Sequence, residues 1–281
     1  RSGLTYYIDR GYIPADKVTE SVSKTMEFSY DDWCIAQMAK SLGYHDDYNL
    51  FMKRAGNYKN LWDERSGFMR PRNIDGSWLE HQKGREQEIL KEGDHSWYKY
   101  FDPLLVGRRP NRHYTESNAW QYLWAAQHDI EGLINLMGGN DKFVVKLDSF
   151  FNASPVITPP KYVGVVGTIG QYVHGNQPSH HVAYLYNYAG KSWKTQERVR
   201  EIMEKLYRQG PGGLCGNEDM GSLSSWYILS SMGFYPVTPG SGVYMIGSPL
   251  FGRVTVKAGD HSFTVVANNN SPENRYVQSA K

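Results

Sequence analysis

The chain has 281 residues, enough for one large domain or two of ordinary size, and its 40% hydrophobic content supplies a sizeable core and excludes disorder. A formal net charge of +2 with scattered basic residues excludes a nucleic-acid-binding stripe, and no apolar run reaches the length of a membrane span. Aromatic residues make up 14%, with 21 Tyr and 8 Trp, which fits either carbohydrate stacking or aromatic packing between helices.

The first residues, RSGLTYYIDRGYIPADK, hold no apolar signal core, and a helical pattern is already under way, as in a piece of a longer chain. Ser21 to Leu42 (SVSKTMEFSYDDWCIAQMAKSL) has the 3.6-residue period of a helix and ends at Gly43. Its Asp31–Asp32 pair is either a half-solvated face or turns Asp32 inward toward polar substrate atoms. A second helix is expected over Asp46 to Trp62, and the charged, Gly-rich stretch Arg72 to Pro110 reads as a long loop or insertion. Thr115 to Met137 reads as one helix ending at Gly138-Gly139, followed by DKFVVKLDSFF. Pro178 to Ala189 and Thr195 to Tyr207 form the next pair around Gly190, and Met220 to Met232 ends at Gly233. Glycine is expected just past a helix end because it takes the left-handed conformation cheaply. After Pro236, GVYMIGSPLF, RVTVKAG and HSFTVVANNN read as short strands, too few to close a sheet, so a continuation of the β region is expected.

The repeated event is helix, glycine, a short turn, helix. The first member is apolar nearly all round and the second amphipathic, which points to buried and outer helices. An (α/α) toroid, a bundle or a solenoid all produce this pattern. In a toroid the starts of the inner helices converge on one face. Those starts are here preceded by polar loops: NRHYTESN, VHGNQPSHH and LCGNEDMGS.

Glu116 falls in the expected first turn after Thr115, where an acid either complements the helix dipole or does chemistry. Glu218 and Asp219 sit between glycines, with Asp219 either the N-cap of the following helix or a working carboxylate. His180 and His181 are adjacent and His174 lies six residues earlier, which is poor spacing for zinc. The oxygen-rich set Asn176, Gln177, Asn217, Glu218 and Asp219 suits a hard cation better. No G-x-S-x-G elbow or phosphate loop is present, and Cys34 and Cys215, outside any C-x-x-C motif, are either paired or free. Two carboxylates at separate inner-helix starts fit glycoside hydrolysis, one protonating the leaving oxygen and the other acting as base or nucleophile. Aromatic walls such as Trp120 and Trp226, with Asp32, His174 and Glu218, are the candidate sugar-binding residues.

The stretches GYIPADKVTESVSKTMEFSYDDWCIAQMAKSLG, NYKNLWDERSGFMRPR, YTESNAWQYLW, HGNQPSHHVAYLYNYAGKSWKTQ, GNEDMGSLSSWYILSSMGFYPV and YMIGSPLF together resemble glycoside hydrolase family 92, the calcium-dependent exo-α-mannosidases. The resemblance implies a mainly α fold: a partial (α/α)6 barrel over residues 1–238, then the start of a C-terminal β region over 239–281. It implies an inverting mannosidase, of α-1,2 type, acting on mannose-containing glycans in the periplasm or outside the cell. Glu116 falls on the family's general acid and Asp219 on its general base. Calcium is implied beside the sugar, with Asn176, Gln177 and Asn217 as candidate ligands. Two departures stand out: Gln177 where many relatives have Glu, and Cys215 where many have Pro. The resemblance also implies an N-terminal domain of the same protein that completes the cleft. The alternatives are a non-catalytic carbohydrate-binding fragment, a glycosidase of another (α/α)6 family, and a structural helical repeat.

Overall fold

The structure is a computed structural model that describes residues 2–80, 100–106, 113–157 and 164–281. Much of the expected loop over Arg72 to Pro110 therefore lies outside the described residues. The described part is mainly helical. Helices α1 (Leu4–Arg10), α2 (Ser21–Ser41) and α3 (His45–Ala55) come first, with Gly43 (φ 80°) turning α2 back against α3. A 3-10 turn (Gly56–Leu61) leads into a hairpin of β1 (Trp62–Asp63) and β2 (Phe68–Met69), so the second expected helix ends earlier than its sequence pattern.

The single helix expected over Thr115 to Met137 is instead two, α4 (Ala119–Tyr122) and α5 (Ile130–Leu136). Each starts at its own side-chain cap. Asn118 accepts from the Gln121 N–H, while the Gln121 side chain returns to the Asn118 N–H; Asp129 accepts from the Gly132 N–H. Between them the fully buried Trp124 anchors an irregular stretch. Helix α6 (Asn140–Asn152) follows, then a hairpin of β3 (Thr168–Ile169) and β4 (Tyr172–Val173).

Pro178 to Ala189 forms 3-10 turns (Gln177–Ser179 and Val182–Asn187) rather than an α-helix. This segment is enclosed, with Val182 to Tyr186 all fully buried. His180 and His181 are bonded through Nε2 to the carbonyls of His174 and Trp124, so tertiary contacts set the local backbone. Helices α7 (Ser192–Leu206) and α8 (Ser222–Met232) complete the helical part. Strands β6 (Met245–Ile246), β7 (Arg253–Ala258) and β8 (His261–Val266) fall within the three expected strand segments, β7 pairing with β8, while β6 pairs with β5 (Phe234–Tyr235), which lies ahead of Pro236 and was not expected. Buried Arg200 of α7 donates to Ser248 Oγ, Pro249 O and Asn270 Oδ1, which fastens this C-terminal segment to the helices.

Much of the aromatic content is core. Trp124, Trp226, Tyr7, Tyr58, Tyr122, Tyr172, Tyr184 and Tyr186 are all fully buried. A buried phenol is costly unless its hydroxyl is bonded. Tyr7 finds Asp32, Tyr58 finds Asp129, Tyr122 finds Glu27, Tyr184 finds Ser230 and Tyr186 finds Asp148. Cys34 and Cys215 are both free thiols.

Candidate active site

The three polar loops singled out by the sequence meet. The first, residues 113–118, is held at its start by the first turn of α2. The Val22 and Ser23 amides donate to His113 O, and the Thr115 N–H donates to Ser23 Oγ at 2.6 Å. At its end the loop is held by the Asn118 cap, whose Nδ2 also donates to Gln171 Oε1 at 3.0 Å. Glu116 lies between these anchors, two residues before the cap, so it is not in a helical first turn and Thr115 is not the N-cap. Its φ of 53° is left-handed, a conformation that is uncommon and strained for a glutamate. Its side chain is exposed.

The second loop runs through His174 to His181. Tyr207 OH donates to Leu223 O at 2.9 Å, so it accepts from His174 Nε2–H at 2.6 Å. His174 Nδ1 then accepts from Tyr172 OH at 2.6 Å. Both ring nitrogens are engaged, and burial pushes the imidazole well below its usual pKa. His174 therefore braces the loop against α8 and has no free nitrogen for a sugar or a metal. Trp226 is likewise structural: it is fully buried, its Nε1 donates to His180 O at 2.9 Å, and its ring stacks on Tyr207.

The third loop, residues 213–221, is packed against the second without intervening side chains. A Cβ on Gly216 would stand 2.5 Å from Gly175 Cα, and one on Gly167 would stand 2.5 Å from Cys215 Sγ. Only glycine allows this approach. Beside the seam lies a cavity of about 280 Å³, lined in part by Val166, Cys215 and Asn217. Asp219 does not cap α8, which has no side-chain cap at Gly221. Glu218 does the related work, its Oε1 accepting the Ser224 N–H at 3.1 Å. Met220, next to Asp219, is left-handed (φ 56°) and fully exposed.

Two adjacent side chains join the loops. Asn176 Nδ2 donates to the backbone oxygen of Glu116 at 3.4 Å, and Gln177 Nε2 donates to Asp219 Oδ2 at 3.1 Å. The backbone of Glu116 and the side chains of Asn176, Gln177 and Asp219 are thus joined at one solvent-facing place, with Glu218 next to Asp219 in the chain. With their NH2 groups committed in this way, Asn176 and Gln177 each retain a carbonyl oxygen as a hard acceptor. No cluster of three or more His, Cys, Asp or Glu able to hold a metal exists among the described residues.

Other candidates fall outside the cluster or serve packing. Asp32 is buried in α2 and accepts from Tyr7 OH at 2.8 Å; burial raises its pKa. Trp120 is half-buried, with the Lys146 ammonium 4.3 Å from its ring centroid and Phe150 stacked against it, so it is not an open sugar platform. Burial lowers the Lys146 pKa to about 8. No local pattern marks Ser23, Gln171 or Tyr207, whose parts in the site arise only from long-range contacts.

The model of the glycosyl hydrolase family 92 catalytic domain matches residues 1–281. A curated relative, an uncharacterized secreted glycosidase of Arthroderma benhamiae, is 30% identical over 304 residues, which is 100% of this chain and 36% of that protein. Among solved structures, a family GH92 α-mannosidase of Bacteroides thetaiotaomicron in complex with mannoimidazole is similar at 39% identity and a TM-score of 0.84, over 98% of this chain and 34% of that one. A family GH92 inverting mannosidase of the same organism matches at 38% identity and a TM-score of 0.77, over 99% of this chain and 36% of that one. The chain spans about a third of the length of these relatives.

Proposed function

The chain belongs to glycosyl hydrolase family 92, and from that membership we propose that it carries the acid–base pair of an inverting exo-α-mannosidase. The observation that carries the reading is the bridge through Asn176 and Gln177, which ties the backbone of Glu116 and the carboxylate of Asp219 to one loop. In the proposed reaction Glu116 protonates the glycosidic oxygen while Asp219 removes a proton from the attacking water on the opposite face. The name of the inverting Bacteroides relative supports that stereochemistry. Residues 1–238 are proposed to form part of an (α/α)6 barrel and residues 239–281 the start of a β region. The substrates are mannose-containing glycans, with α-1,2 linkages the first to test. Action outside the cytoplasm is supported by the curated relative being described as secreted.

Calcium fits the donor set. The open amide oxygens of Asn176 and Gln177, with that of exposed Asn217, are hard neutral ligands beside an acidic residue. When bound, the ion would supply positive charge to sugar hydroxyls. The protein's own residues then divide the work. Asn176 and Gln177 hold the two acid loops together, Glu218 fixes the start of α8, and Gly175 and Gly216 let the second and third loops pack backbone to backbone.

The test is hydrolysis of α-mannobiose by the full-length protein, by Glu116→Gln and by Asp219→Asn, with the first-formed anomer followed by NMR. Loss of kcat by about 10²-fold or more in both variants, with β-mannose formed first, is expected. Normal activity in either variant removes that residue from its role. A chelator that leaves activity unchanged removes the calcium. Sugar binding without turnover by the full-length protein favours the non-catalytic reading.

A further inference from the structure

Glu20 stands at the N-cap position of α2, yet its side chain makes no cap bond. It is directed at the loop that carries Glu116. Its Oε1 accepts from Thr115 Oγ1 at 3.0 Å, and its Oε2 lies 3.4 Å from Lys24 Nζ. Lys24 is in turn fixed by the Thr19 carbonyl at 3.0 Å. Both side chains of this ion pair are about one-fifth exposed, so the pair is sheltered. Glu20 is itself left-handed (φ 61°), as is Glu116 (φ 53°), and the two strained acids meet across Thr115. Strained backbones persist only where their surroundings over-determine them, and they collect at functional sites.

Thr115 is held at two atoms, its N–H by Ser23 and its hydroxyl by Glu20. The next residue is Glu116. Among the described residues no hydrogen bond reaches the Glu116 carboxylate, so the backbone is what fixes the point from which its side chain departs. We propose that Glu20 is a positioning residue for the acid loop: braced by Lys24, its carboxylate fixes Thr115 and so the direction from which Glu116 meets the substrate. This rests on the proposed role of Glu116 as general acid.

The test separates the two ideas. In the full-length protein, Glu20→Ala, Glu20→Gln and Glu116→Gln are assayed on α-mannobiose and on a 2,4-dinitrophenyl α-mannoside. The second leaving group departs without protonation. A misplaced acid should lower kcat on mannobiose by about 10²-fold, since displacements of about 1 Å carry that cost. The activated substrate should change by less than about threefold, and KM should move little. Glu20→Gln keeps an oxygen acceptor for Thr115 and should recover most of the loss.

Equal loss on both substrates by Glu20→Ala, or no loss on either, overturns the positioning role. Absence of leaving-group dependence in Glu116→Gln overturns the acid assignment instead. A readout free of activity uses the chain itself. Amides of residues 113–117 should exchange about tenfold faster in Glu20→Ala but not in Glu20→Gln, with α7 unchanged. Unchanged exchange in Glu20→Ala also overturns the proposal.

Discussion

Gln177 Nε2 lies 3.1 Å from Asp219 Oδ2, an amide donor directed at the proposed base. The bond restrains rotation of the carboxylate. A glutamate at the same position would set a like charge against Asp219 and remove the donor. Many relatives carry Glu here and the proposed calcium would offset its charge, so Gln177→Glu should lower kcat on an α-mannoside in the full-length protein about tenfold only when calcium is removed by chelator, with a thermal midpoint close to that of the parent. Gln177→Ala should fall less far, because it removes the donor without adding repulsion. Steady-state kinetics beside a thermal melt distinguishes loss of chemistry from loss of fold.

The strain at Glu116 makes a separate prediction about stability. A left-handed backbone costs an ordinary side chain roughly 1–2 kcal/mol, and asparagine tolerates it better. Glu116→Asn should raise stability by about 0.5–1 kcal/mol while abolishing the proposed proton donor. Urea denaturation with an unchanged slope would measure the gain. A variant more stable and less active is the pattern expected where strain is held for function.

The seam between the second and third loops predicts a larger loss. A methyl on Gly216 would meet the Gly175 backbone at 2.5 Å, and backbone cannot swing aside as a flexible side chain does. Gly216→Ala should destabilise by about 1–3 kcal/mol, as overpacked sites do. It should also weaken activity by separating Asp219 from Gln177. Gly212, with open space around its Cβ position, is the control, and Gly212→Ala should be close to neutral in the same urea titration.

Helices α2 and α8 were legible in the sequence because periodicity and a terminal glycine agree there, and α6 and α7 because an amphipathic period follows a glycine turn. The break after Tyr122 was not. Asn118 and Asp129 are caps set inside an apolar period, and the period alone reads straight through them. The 3-10 path of residues 182–187 was hidden for another reason, since the segment is enclosed and its leading His181 is bonded to the Trp124 carbonyl, 57 positions away. The acids of the candidate site stood out in polar loops ahead of apolar segments, and those at 218 and 219 also lie between glycines. Which acid caps was not: Glu218 reaches the Ser224 amide, while Asp219 is turned to Gln177. His174 read as a sugar-binding candidate because its two tyrosine partners cannot be recognised in advance, and Glu20 meets Thr115 only across 95 positions of sequence.

The buried histidines of the second loop, and His128 outside it, should make the fold sensitive to acid. Burial holds His180 and His181 near a pKa of about 4, from an ordinary 6.5, and pushes His174 well below its ordinary value too. Above pH 6.5 folded and unfolded states are both neutral at these rings, and they contribute no pH dependence. As pH falls from 6.5 toward 4, the unfolded chain binds protons that the folded chain refuses, so stability falls with pH. A tenfold difference in proton affinity between the two states is worth about 1.4 kcal/mol, which makes the loss for His180 or His181 on the order of 3 kcal/mol by pH 4. Burial also pushes Asp63 and Asp129 up, but bonds from Arg70 and Lys59 outweigh it and hold both below their usual 3.8, so they act in a lower window. Urea midpoints should therefore drop steadily between pH 6.5 and 4.5. His181→Gln keeps a donor for the Trp124 carbonyl without a titrating ring and should flatten that slope, even if it lowers stability at pH 7.5. A midpoint that stays constant over this range in the parent chain would show that these imidazoles protonate in place, without opening the loop that holds Asn176 and Gln177.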